Sequence, residues 1–345
     1  TEWIDNMPLI VFSHANSFPA STYRVLFKSL RQRGFTVKAV ERFGHDPAYP
    51  VTDNWPHLVQ QLADFTRREV DKAGEPAFLV GHSLGGFLSL MAAARHPELA
   101  RGVLLVDSPI LGGWRASTMA VMKRTQLVGS VSPGRVSRAR RNSWPDREAA
   151  LEHFRHKKAF ARWDPQVLAD YVNHGMRDDG GKRVLAFDRE VETQIYNTLP
   201  DNLDRLIRRH PLKCPVAFIG GIQSLEMQQV GMGLTEKLVK GRVMMLDGSH
   251  LFPMEKPLAT AAAIEASLRG FQGMVRACAD TAHMQLTRGV ARDEVRERVR
   301  DIAGRARELR RNGDVDGARQ VLREELKPLI KDTRERVKPH VRPLV

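Results

Sequence analysis

The chain has only two cysteines, Cys214 and Cys278. They form no C-x-x-C pair and no metal-ligand spacing, so neither a disulfide framework nor a cysteine-based zinc site is indicated. The expectation is a reducing, cytoplasmic location. No run approaches the ~18 apolar residues needed to cross a bilayer. No charged-then-apolar signal segment follows Thr1, so no membrane span is expected. Zinc-finger spacing, an RNP-like aromatic strand and a phosphate-cradling glycine loop with its lysine are also missing. A nucleic-acid partner is therefore not expected, despite a net charge of +14. Much of the arginine sits between acidic residues on helix-like segments, the pattern of a solvated face. Such a charge acts mainly on solubility and on non-specific contact with polyanions.

At 345 residues and 42% hydrophobic, the chain can hold one large domain with an insertion, or two domains. Short apolar runs alternate with helical patterns. This predicts an α/β fold, a mostly parallel sheet with helices on both faces. Strands are expected near 8–13, 35–41, 76–82, 102–107, 215–220 and 242–246. Helices are expected over 21–33, ended by Gly34, over 56–70, with proline in the first turn, and over 84–95. Between Asp107 and Leu212 no buried strand of the sheet is evident, and the stretch from Trp144 to Asn202 offers helix signals instead, among them 145–160 and a segment that Asp164-Pro165 starts and Gly175 ends. From Met274 onward the pattern is helical, rich in arginine and poor in aromatics. It predicts a helix over 290–311, a stop and new cap at Asn312-Gly313-Asp314, a helix over 315–326, and fraying beyond Pro328, Pro339 and Pro343.

The chemistry is concentrated in Ala77-Phe78-Leu79-Val80-Gly81-His82-Ser83-Leu84-Gly85-Gly86. An apolar strand runs into G-x-S-x-G and a helix follows. That context makes a sharp turn on which a serine hydroxyl stands exposed, closed by small residues at 81 and 85. Here the chain resembles the α/β-hydrolase family. Three further segments carry the resemblance. Leu9-Ile10-Val11-Phe12-Ser13-His14-Ala15-Asn16-Ser17-Phe18-Pro19 is a strand ending in a loop similar to the family's oxyanion loop. Pro215-Val216-Ala217-Phe218-Ile219-Gly220-Gly221 is similar to the strand before its catalytic acid. Asp247-Gly248-Ser249-His250-Leu251-Phe252-Pro253-Met254-Glu255-Lys256-Pro257 is similar to its catalytic-histidine loop.

The resemblance covers about residues 8–270. It implies an α/β-hydrolase core at 1–111 and 212–272, a helical cap at 112–211 and a basic helical extension at 273–345. Too few residues precede position 8 for the two antiparallel strands that usually open the family's sheet. The resemblance also implies that Ser83 is the nucleophile. A serine hydroxyl needs a base within hydrogen-bond reach, and His250 fills that role. The implied oxyanion donors are the backbone N–H groups of Asn16 and Leu84, with Ala15 standing where the family commonly has glycine.

The third member of the triad departs from the pattern. The family's aspartate position falls on Ser224, which carries no charge to hold an imidazolium. Two carboxylates remain as alternatives: Asp107, at the end of Val103-Leu104-Leu105-Val106-Asp107, and Glu226, two residues beyond Ser224. Candidate pocket residues are His14, which also braces its loop, and Trp114, Trp144 and Tyr171 of the cap. His45 is expected to support the pocket mouth. The expected activity is a cofactor-free and metal-free serine hydrolase acting on a carboxylic ester or a related small acyl substrate. The alternative is a catalytically degenerate binding protein whose basic C-terminal helices dock on a protein partner or self-associate. A carboxylate oxygen about 2.6–3.2 Å from the His250 nitrogen that faces away from Ser83 distinguishes the two.

Overall fold

The computed structural model describes residues 7–112 and 134–329, with side chains described throughout except at 274–296. Trp114, Pro339 and Pro343 lie outside the described residues. The chain divides into two compact units, Thr1–Phe271 and Gln272–Val345.

The first unit opens with β1 (Leu9–Ser13), buried at every position. A 3-10 turn at Ala20–Tyr23 leads into α1 (Arg24–Gln32), and Gly34 ends the segment with φ 87°. After β2 (Thr36–Ala39), α2 (Pro56–Ala73) starts on a proline, whose missing N–H has no intrahelical partner to lose there. Then come β3 (Ala77–His82), α3 (Leu84–Arg95) and β4 (Ala100–Val106). A helical insertion follows, comprising α4 (Gly134–Ala139), β5 (Ser143–Trp144), α5 (Arg147–Arg155), α6 (Pro165–His174), β6 (Met176–Asp179), β7 (Lys182–Leu185), α7 (Arg189–Asn197) and α8 (Leu203–Arg209). Asp146, Asp164 and Asp188 cap α5, α6 and α7 by accepting first-turn N–H groups. The chain returns through β8 (Val216–Gly221), α9 (Leu225–Val230), α10 (Gly233–Val239), β9 (Val243–Leu246), α11 (Phe252–Glu255) and α12 (Pro257–Arg311).

Six strands form one sheet in the order β2-β1-β3-β4-β8-β9, and every neighbouring pair is parallel. All six lie where the sequence predicts them. The four inner strands are almost wholly buried because both faces are covered, as parallel sheets require. Their alternation of side chains divides the core. Ile10, Phe12, Phe78, Val80, Leu104 and Val106 pack on one face, while Leu9, Val11, Leu79, Val103 and Leu105 pack on the other. The strand order reverses between β1 and β3, because the chain moves outward to β2 and then returns to the far side of β1. In open α/β sheets, ligands bind beyond the carboxyl ends of the strands at such a point.

Two features differ from the sequence reading. The insertion is not purely helical, since β5, β7 and β6 form a small antiparallel sheet in that order. Gly180 and Gly181, at φ 56° and 81°, close the β6–β7 hairpin in the primed turn that fits strand twist. These strands are short, and three of the four β6 residues are exposed, so they carry no apolar alternation. The second difference is α12, which is continuous from Pro257 to Arg311, so the expected helix at 290–311 is its last part. Within the second unit, Asp314 caps α13 (Val315–Val321) by accepting the Gly317 N–H at 2.8 Å. A π turn at Leu322–Leu326 follows, and Ile302, Ala306 and Ala318 are buried. No helix among the described residues is long and apolar enough to cross a membrane.

The glycines at the end of β3 permit close backbone contact. A Cβ on Gly85 would sit 1.9 Å from the Ser13 carbonyl oxygen, whereas one on Gly270 would meet open space. Gly85→Ala is expected to lower stability by about 3 kcal/mol. Gly270→Ala, inside a helix, is expected to raise it by ~0.5–1 kcal/mol. Urea midpoints of the two variants check both signs.

Candidate active site

Ser83 joins β3 directly to α3. Its backbone is at φ 53° and ψ −114°, a region that costs a non-glycine residue about 1–3 kcal/mol. The surroundings hold it there. The Ser83 N–H donates to the Val106 carbonyl at 3.0 Å, and the Ser108 hydroxyl donates to the Ser83 carbonyl at 2.9 Å. A Cβ on Gly81 would lie 2.0 Å from the Gly85 carbonyl oxygen, so the turn closes only around glycine. The result is a serine hydroxyl held at the carboxyl edge of the sheet.

His250, in the loop after β9, places its Nε2 3.0 Å from the Ser83 hydroxyl. Its Nδ1 lies 2.6 Å from Asp107 Oδ2. A carboxylate only accepts, so Nδ1 carries the hydrogen and the neutral ring leaves Nε2 free to accept from Ser83. Burial opposes a charge on His250, but the Asp107 hydrogen bond and the charges of Glu226 and Asp107 outweigh it and raise its pKa. Asp107 is fully buried and has a positive φ of 45°. Burial alone would raise its pKa. Hydrogen bonds from His250, Ser224 and Gly221, with the imidazole charge, hold it below the ordinary carboxylate value instead. Three donors surround this carboxylate: Gly221 N–H at 2.7 Å on Oδ1, and Ser224 O–H and His250 N–H, each at 2.6 Å, on Oδ2. Ser224, which stands where the resemblance calls for an acid, thus donates to Asp107.

The loop after β1 lies beside this group because Ser13 pairs with Gly81 in register. Asn16 and Leu84, the expected oxyanion donors, therefore emerge from adjacent strands. The Asn16 N–H has no acceptor among the described residues.

Residues 10–263 match the Alpha/beta hydrolase family. The chain belongs to that family. Among curated proteins it is similar to a monoglyceride lipase of Rattus norvegicus, 29% identical over 129 residues, which make up 36% of this chain and 43% of the lipase. The chain spans less than half the length of the first curated relatives it matches. The crystal structure of an E-2-(acetamidomethylene)succinate hydrolase superposes with a TM-score of 0.60 at 23% identity, covering 76% of this chain and 91% of that one. An M. tuberculosis esterase superposes with a TM-score of 0.55 at 21% identity, covering 76% and 86%. At these identities the likeness is one of fold.

Within this α/β hydrolase the other candidate residues separate clearly. Glu226 lies 3.9 Å from His250 Nδ1 and its side chain is half exposed. It contributes charge but makes no hydrogen bond to the ring, because Ser224 caps α9 and Glu226 leaves its first turn toward solvent. His14 is a brace and not a pocket residue. Its Nδ1–H donates to the Ala15 carbonyl at 2.8 Å, and its Nε2 accepts the Phe43 N–H at 3.0 Å. Burial lowers its pKa to about 4. Trp144 is fully buried against His153 and Phe154. Tyr171 is fully buried with its hydroxyl on Arg140. Both are expected in the pocket, but both are buried in the hydrophobic core that the insertion shares with one face of the sheet. His45, expected at the pocket mouth, accepts the Asp188 N–H of the insertion at 2.9 Å.

A link that sequence reading missed runs through His82, the variable residue of G-x-S-x-G. The Ala15 N–H donates to the Tyr23 hydroxyl at 3.0 Å, and that hydroxyl donates to His82 Nδ1 at 2.8 Å. His82 Nε2–H then donates to the His250 carbonyl at 2.8 Å. Burial, with the charge of His250, lowers the His82 pKa to about 3, so the ring stays neutral and keeps this tautomer. The chain of bonds ties the loop after β1 to the histidine loop. Among the described residues, Asp107, Glu226 and His250 also bring three metal-capable donor atoms within 4.8 Å of one another. The Asp107–His250 hydrogen bond already occupies two of them.

The raised His250 pKa adds stability below 6.5, lost as pH rises through the folded value; the lowered Asp107 pKa adds stability above 3.8, lost as pH falls through its folded value. The pair thus contributes most between those limits. Ring NMR should show His250 titrating above 6.5 and moving down in Asp107→Asn, with His82 and His14 remaining neutral at pH 5.

Proposed function

We propose that this chain is a serine hydrolase that cleaves small carboxylic esters through an acyl-enzyme. The observation that carries the proposal is the continuous line from Ser83 Oγ through His250, at 3.0 Å, to Asp107, at 2.6 Å. In this reading His250 Nε2 takes the Ser83 proton as Oγ attacks the substrate carbonyl. Asp107 holds the ring in the required tautomer and stabilises the imidazolium. The N–H groups of Asn16 and Leu84 receive the oxyanion, where fixed donors act most strongly because they need no reorganisation. His250 then returns the proton to the leaving alcohol. Water attacks the acyl-enzyme by the same route in reverse, releasing acid and free serine. These side chains carry every proton transfer without a cofactor.

The insertion is assigned to a cap over the substrate, within 112–211. The family relatives named as a lipase and an esterase support ester chemistry. A buried Asp107 at hydrogen-bond distance weighs against the degenerate-binder alternative. Cys214 is a half-buried free thiol, and a reducing cytoplasm remains the proposed location.

Wild-type protein is expected to take a fluorophosphonate probe and to turn over p-nitrophenyl acetate, with both lost in Ser83→Ala. Labelling that persists in Ser83→Ala, or an inert folded wild type at pH 7–9, would sink the proposal. Asp107→Asn should lower kcat by ~10⁴-fold and move the midpoint of the pH–rate profile down. Glu226→Gln should move that midpoint down only slightly and keep kcat within a few-fold of wild type.

A further inference from the structure

One residue of the insertion makes hydrogen bonds to two residues of the loop that presents Asn16. Glu192, in the first turn of α7, is 3% exposed. Its backbone carbonyl accepts from Asn16 Nδ2 at 3.1 Å. Its carboxylate accepts from the Ser17 hydroxyl at 2.5 Å and from the Ser137 hydroxyl at 2.9 Å. Two consecutive residues of the oxyanion loop are thus fastened to one residue more than 170 positions away in the chain.

A buried carboxylate is tolerated only when paired and hydrogen-bonded. Arg140, from the segment after α4, supplies the charge: one guanidinium nitrogen stands 3.1 Å from both Glu192 oxygens, and another donates to the Tyr171 hydroxyl at 3.1 Å. Ser17 itself sits at φ 81°, where a non-glycine residue costs about 1–3 kcal/mol. Glycine would adopt that backbone freely but would lack the hydroxyl that reaches Glu192. The serine therefore exchanges backbone comfort for a bond to the insertion.

We propose that Glu192 and Ser17 are positioning residues that clamp the oxyanion loop, so that the oxyanion hole is complete only with α7 in place. This rests on the hydrolase reading above. The clamp acts on the Asn16 N–H and leaves the Ser83–His250–Asp107 line untouched. Loss of one oxyanion donor costs about 10²–10³ in kcat, and a misaimed donor costs part of that.

The test uses the full chain with p-nitrophenyl acetate and an aryl trifluoromethyl ketone, which forms a tetrahedral oxyanion on the serine. Ser17→Gly removes the hydroxyl while relieving the backbone, so it should fold at least as well as wild type. It should lower kcat roughly 10–100-fold, leave KM within about threefold, and raise the ketone Ki by the factor by which kcat/KM falls. Its pH–rate midpoint should not move. Glu192→Gln, which keeps an acceptor for Ser17 but not the charge on Arg140, should show the same pattern with a smaller loss. Wild-type kcat and Ki in both variants would overturn the clamp. So would a fall in kcat with unchanged Ki, or a shifted pH midpoint, since either places the effect outside the oxyanion hole. A wild type that neither turns over the ester nor takes the fluorophosphonate overturns the hydrolase reading together with the clamp, and is distinguished by the wild-type control alone.

Discussion

The carboxylate of Asp107 is the interaction on which the rest of the site depends. It is fully buried, and a charge in that position is stable only if donors surround it. Those donors come from three places: the end of β8, the cap of α9 and the loop after β9. Each must be in register for the carboxylate to stay ionised, so a single charge fixes the relative height of β4, β8 and the histidine loop. The strained backbone at Asp107 and at Ser83 lies on the same sheet edge. Both conformations persist because hydrogen bonds to neighbouring strands over-determine them.

Around that charge two neighbouring histidines are held neutral. His14 and His82 are buried, each with both ring nitrogens satisfied, and burial lowers their pKa values. Of these three histidines His250 has the raised pKa, and it lies between a hydroxyl and a carboxylate. Two fully buried histidines thus act as braces and a third, partly exposed, titrates, and the division follows from burial together with hydrogen-bond partners.

The family's architecture was legible in the chain because its signals are local and repeated. Buried parallel strands read as apolar runs, and the glycines around Ser83 identify a turn too tight for any Cβ. The small sheet of the insertion escaped notice because its strands are four residues or fewer and largely polar, although Gly180-Gly181 marked the hairpin. Trp144 and Tyr171 were assigned to the pocket from residue type alone. Their burial follows from packing with Phe154, Phe160 and Trp163 in a core shared with the sheet, which no local pattern reveals.

By itself the sequence determined the order of the strands along the chain, the turn at Ser83 and the histidine loop, since each depends on residues within a few positions of one another. It left two carboxylates open for His250. Tertiary structure decided between them, because the choice turns on distance across the sheet: Asp107 reaches the ring at 2.6 Å while Glu226 stands at 3.9 Å. The same holds for the Tyr23–His82 link and for Glu192 on the loop after β1. Each joins residues far apart in the chain through hydrogen bonds that exist only once the strands and the insertion have packed, so no local reading could have found them.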